Sequence, residues 1–212
     1  MNRKITIKTL SVLLIAVLLL ALAACGTSHP KVSVPEEPSE TTPPAETAET
    51  ASTADVTAPK FPAFEGRDLD GNAVKSDELF SGSAVTVVNF WFTTCGPCVG
   101  ELDELDALNK ELADKGGRLI GINVFTLNGD ETAISEAKAV LEKQGAGYQN
   151  VYFDLDSDAG RFASGIYAYP TTFVVDRGGR IVGDPIVGAI TARAQADALR
   201  DLIDRALAAD AS

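Results

Sequence analysis

Two cysteines, Cys95 and Cys98, stand two residues apart in the run WFTTCGPC. At that spacing their sulfurs can close a small disulfide ring and reopen it. Pro97 suits the opening of a helix, where its missing N–H costs little. The first sulfur then lies beside the unpaired N–H groups of a helix start, which together with the helix dipole favour a thiolate and lower its pKa. A lower pKa gives more nucleophile at neutral pH, but each thiolate is then a weaker nucleophile, so the useful value lies near ambient pH. Cys95 is accordingly the attacking sulfur, forming a mixed disulfide with a substrate. Cys98, one turn inward and less accessible, resolves it.

Other chemistry fits the pair less well. A structural zinc site needs four ligands, and beyond this pair the chain offers only Cys25 and His29, both far upstream. A purely structural disulfide would close so short a loop that it gains little chain entropy. Chance proximity does not explain a strand before the pair and a helix after it, and the flanking sequence reads as both.

The run before the pair, residues 84–92 (AVTVVNFWF), is nearly continuous β-branched and aromatic sequence, as expected of a central strand covered on both faces. After it, one helix from Pro97 carries Leu102, Leu105, Leu108 and Leu112 as an apolar stripe and stops at Gly116-Gly117. Residues 63–74 bracket the turn Asp70-Gly71 and read as an N-terminal hairpin. A strand over 118–125, a helix over 131–144, a short strand over 151–154 and a short helix over 157–163 follow. TTFVVD and RIVGDPIVG flank Arg177-Gly178-Gly179 as a second hairpin, and a final helix runs over 191–208 with Thr191 as its N-cap. This alternation specifies an α/β fold, a mixed sheet with helices on both faces.

The N-terminal third carries no such pattern. Residues 1–24 open with Arg3, Lys4 and Lys8, continue as an apolar run and end in small residues, the layout of an export signal. The apolar run is 15 residues long, short of the roughly 20 needed to span a bilayer. Leu22-Ala23-Ala24-Cys25 resembles the lipobox of bacterial lipoproteins, which makes Cys25 a lipidation site. Residues 25–59 are rich in Pro, Thr, Ala and Glu and poor in large apolar side chains, the composition of a disordered linker. Such a tether reaches about 30 Å as a coil and about 100 Å extended. The folded domain is expected over 60–212. With 30 acidic and 18 basic residues the formal charge is −12, and loss of residues 1–24 would leave about −15. That balance argues against nucleic acid.

The segments NFWFTTCGPCVGEL, FDLDSDAGRFASGIYAYP and YPTTFVVDRGGRIV resemble the thioredoxin superfamily, in particular its TlpA/ResA-like branch of membrane-anchored extracytoplasmic reductases. The likeness extends from residue 61 to about 207. It implies a thioredoxin-like fold in which residues 131–154 form a central helix-strand insertion. It further implies that Pro170 is a cis-proline facing the sulfurs, that Glu101 tunes the cysteine pair, and that Trp91, Gly96 and Pro97 complete the site. For Glu101 a plainer reading competes, a solvated first-turn acid serving the helix dipole with Asp103 and Glu104. For Trp91 the plainer reading is a core residue. Three departures stand out: Thr94 where relatives usually have tryptophan, Asn89 where thioredoxin has a buried aspartate, and Asp103 where proline is common. The first removes an aromatic flank of the substrate groove, and the second leaves Glu101 as the nearest group to handle the Cys98 proton.

The resemblance implies reduction of disulfides in exported proteins, including apocytochromes c and methionine sulfoxide reductases, with electrons from a membrane thiol transporter. No cofactor beyond the Cys95–Cys98 disulfide is expected. The Gly-Pro between the cysteines leans towards reduction, although oxidation is the same chemistry reversed. Two other functions stay open: a thiol peroxidase using one cysteine, and a copper-delivery module, disfavoured because the sole histidine lies at position 29.

Overall fold

The computed structural model describes residues 58–212; the export-signal, Cys25, His29 and most of the linker assignments lie outside the described residues. Seven strands and six helices follow in chain order. They are β1 (Glu65–Asp68), β2 (Ala73–Lys75), α1 (Ser76–Ser81), β3 (Val85–Trp91), α2 (Gly96–Val99), α3 (Leu102–Ala113), β4 (Arg118–Asn123), α4 (Glu131–Gln144), β5 (Val151–Phe153), α5 (Asp158–Ser164), β6 (Thr171–Asp176), β7 (Ile186–Val187) and α6 (Arg193–Asp210).

Every residue of β3 is buried. It runs parallel to β4 and antiparallel to β6, inside a four-stranded sheet of order β4-β3-β6-β7. Because side chains alternate along a strand, β3 feeds two cores. Val85, Val87 and Trp91 pack with the cysteines, the α3 leucines and Leu199, Leu202 and Ile203 of α6. Val88 and Phe90 face the opposite side, among Phe61, Phe64, Phe80, Phe153 and Phe173. Asn89 has the parity of Val87 and Trp91, so the strand aims its amide at the helix that follows the cysteines.

Four expectations change in detail. The sheet is divided into two hydrogen-bonded parts: β2-β1-β5 forms a separate three-stranded sheet, joined to the other by a single parallel bridge between Gly121 and Asn150. The N-terminal hairpin, turning through Gly71 at φ +88°, thus pairs with the strand of the central insertion. The helix after Cys95 is two helices, interrupted at Gly100 and Glu101. The second arm of the 171–187 hairpin keeps one bridge, Val175 with Ile181, and then the short β7; between them Gly183 takes φ +68° and Pro185 has no N–H to donate. Finally α6 is preceded by Ala192 with no side-chain cap, so Thr191 does not cap it.

Candidate active site

Strand β3 delivers the chain to the cysteines through a tight turn in which the Cys95 N–H donates to the Phe92 carbonyl at 3.1 Å. Cys95 is the N-cap of α2, and its Sγ accepts the Cys98 N–H at 3.2 Å. The two sulfurs are joined as a disulfide. Cys95 is 7% exposed and Cys98 fully buried, the asymmetry required of an attacking and a resolving sulfur. Since α2 has only four residues, its dipole is weak, and the directly bonded Cys98 N–H is the main group able to stabilise charge on Cys95. Gly96 and Pro97 form the exposed crest of this turn.

Glu101 sits in the interruption between α2 and α3, its N–H bonded to the Cys98 carbonyl at 3.3 Å. It is fully buried, which removes the reading as a solvated first-turn acid; Asp103 and Glu104, both exposed, occupy that role at the start of α3. One carboxylate oxygen accepts the Asn89 amide at 3.0 Å, and the other accepts the Ile190 backbone N–H at 2.6 Å. Burial pushes the carboxyl up to about 7; the Ile190 and Asn89 donors oppose that rise, and the nearby charge of Glu104 adds to it. Glu101 can therefore hold or release a proton near neutral pH. Asn89 also donates to Thr172 Oγ1 at 3.0 Å, tying the carboxylate to β6.

The Tyr169–Pro170 peptide is cis. Continuing the β3–β6 register past the Phe90–Thr171 pair sets Pro170 beside the end of β3 that leads to Cys95. Its carbonyl accepts the Gly188 N–H at 2.9 Å, so the segment from Gly188 to Ile190 spans from Pro170 to Glu101. Trp91 is fully buried, and its indole N–H donates to Asn150 Oδ1 at 2.8 Å; it is a core residue that ties β3 to the insertion. Ile190, Thr172 and Asn150 were not singled out from the sequence. Ile190 contributes only a backbone N–H, which no residue type advertises, whereas Asn150 carried a faint signal as a polar residue at the edge of an apolar run. Among the described residues there is no cluster of three or more metal-ligating side chains, and no helix long and apolar enough to cross a membrane.

A mixed sheet flanked by helices, presenting a closed Cys-x-x-Cys at a helix start, defines a thioredoxin-fold thiol–disulfide oxidoreductase. Comparison with known proteins agrees. The chain is 30% identical to the thiol-disulfide oxidoreductase ResA of Bacillus anthracis over 61% of its length and 69% of the relative's. It is 30% identical to the thiol:disulfide interchange protein DsbE of Haemophilus influenzae over 68% and 73%. A solved thiol:disulfide interchange protein of the thioredoxin family from Chlorobium tepidum superposes with a TM-score of 0.55 at 28% identity, covering 73% of this chain and 99% of that one. Residues 57–183 match the AhpC/TSA family model, and the chain belongs to that family.

Proposed function

We propose that this oxidoreductase works as a reductase of disulfides in exported polypeptides, held at the outer face of a bacterial membrane by a lipid on Cys25. The Cys95 thiolate attacks one substrate sulfur, an S–S bond forms between enzyme and substrate, and the other substrate sulfur leaves as a thiolate that takes up a proton. Cys98, losing its proton, then attacks Cys95 Sγ, so the enzyme disulfide closes and the second substrate thiol is freed. Two electrons have passed to the substrate, and a dithiol protein of the membrane restores the reduced pair. Glu101 accepts the Cys98 proton, and Pro170 lines the groove in which the substrate backbone lies. Apocytochromes c and methionine sulfoxide reductases are the substrate classes that the family resemblance favours. The observation that carries the reading is the closed Cys95–Cys98 pair at a helix start, its first sulfur at the surface end of the turn and its second fully buried.

Equilibration in glutathione buffers tests the direction. The reading expects a potential well below about −200 mV, towards the roughly −270 mV of thioredoxin; a value close to the −120 mV of strongly oxidising relatives would reverse it. In the same experiment Cys98→Ala is expected to accumulate mixed disulfides that dithiothreitol releases. Rapid peroxide consumption by that variant would instead establish a peroxidase.

A further inference from the structure

Phe125, 47% exposed, lies in the turn that follows β4, and Leu155, 37% exposed, follows β5. Both line one open groove, together with Leu127, Ala133, Asp130 and Glu136. The groove is held by its own bonds: Asn128, in the left-handed region at φ +63°, uses its side-chain oxygen to accept the Leu155 N–H at 2.7 Å. Asp130 caps α4 through the Ala133 N–H at 2.7 Å.

This groove is continuous with the disulfide. The ring of Phe125 packs on Phe92 at 5.1 Å between centroids, and Phe92 meets Tyr169 edge-on at 5.2 Å. Phe92 carries the carbonyl that receives the Cys95 N–H, and Tyr169 precedes Pro170. An aromatic path thus leads from the sulfurs to the groove. Its charged lining is acidic, with Asp130 and Glu136 and no lysine or arginine.

We infer that this groove docks an extended substrate segment flanking the target disulfide, one carrying large apolar side chains and lysine or arginine. The inference rests on the disulfide-exchange reading and adds to it the class of sequence preferred. Apolar contacts to Phe125 and Leu155 supply the area removed from water, while Asp130 and Glu136 select cationic neighbours and speed encounter. Thr94, which leaves the cysteine turn without an aromatic flank, is offset by the path through Phe92.

The test uses the full-length protein in detergent micelles, reduced beforehand and mixed with disulfide-cyclised peptides in single turnover. Two peptides share an apolar Phe-Leu flank and differ in carrying three lysines or three glutamates; hydroxyethyl disulfide serves as a small substrate. The lysine peptide is expected to react about tenfold faster than the glutamate peptide at low salt, with the gap closing at about 0.5 M salt. Leu155→Ser with Glu136→Lys is expected to lower the lysine-peptide rate about fivefold or more and to leave hydroxyethyl disulfide within about twofold. Glu136→Gln, a change on an exposed helix face, should narrow the peptide gap on its own.

Equal rates for the two peptides, or a gap that Glu136→Gln does not narrow, would overturn the inference. So would sedimentation showing that the groove is covered by a second copy of the chain. Failure of the unaltered protein to reduce hydroxyethyl disulfide would defeat the exchange reading itself, a separate result.

Discussion

A carboxyl group held near half-protonation inside a protein makes stability depend on pH. Glu101 has its folded pKa raised to about 7 from an ordinary 4.5, so the folded state binds its proton more tightly than the unfolded chain. Its contribution is fully present below pH 4.5 and is lost as pH rises through 7, an effect of roughly 3 kcal/mol. Glu101→Gln keeps the shape and abolishes the titration. Urea unfolding at pH 5 and pH 8 is expected to show the wild type losing stability relative to the glutamine variant across that interval; parallel behaviour would contradict the assignment. In its rate of disulfide reduction the variant should lose the inflection that Glu101 supplies near pH 7 and keep the one set by the Cys95 thiolate. At this scale the cysteines were legible because two sulfurs at that spacing have few other uses. The burial of Glu101 was not: a glutamate one turn into a helix usually faces water, and its actual partners, Asn89 and the Ile190 N–H, lie 12 and 89 residues away.

Between elements, the two sheets meet at the seam where β4 touches the insertion. Gly121 donates its N–H to the Gln149 carbonyl at 2.9 Å, and a Cβ there would stand 2.1 Å from Asn150 Oδ1, the atom that accepts the Trp91 indole N–H. Gly121→Ala must displace the Asn150 side chain and leave a buried donor unpaired, at a cost of at least about 2 kcal/mol. Asn150→Ala is expected to cost about 1–3 kcal/mol by leaving the same indole alone. In that background the methyl group added by Gly121→Ala meets no amide, so the two losses should add to less than their sum when denaturant curves of the four proteins are compared. Strict additivity would show that the Asn150 side chain is not what the new methyl group strikes. Most strands and helices could be read from periodicity, since burial parity is written along each segment. Which edge β5 joins could not, because a short apolar run records that it is covered and not by what. The interruption at Gly100 and Glu101 was hidden for a related reason: the leucine stripe continues in phase from Leu102 and gives no sign that the preceding turn is separate.

For the whole molecule, the surplus of acids works against approach to an anionic bilayer, so surface charge does not supply the attachment that the proposed lipid would. Cys25→Ser is expected to abolish incorporation of labelled fatty acid and shift the protein from the membrane fraction to the soluble one, while reduction of a small disulfide by the purified protein is unchanged. Retention in the membrane without label would point to another anchor. The α/β class was legible from alternation along the chain, whereas the division into two sheets was not, since it depends on pairings far apart in sequence. The cap at Cys95 separates folding from reactivity. Serine is among the best residues for an N-cap, so Cys95→Ser keeps a cap on the turn that the sulfur now seats and loses the attacking atom together with its bond to Cys98. Such a protein is expected to fold like the wild type and to leave a small disulfide unreduced, which parallel melting curves and hydroxyethyl disulfide turnover would check.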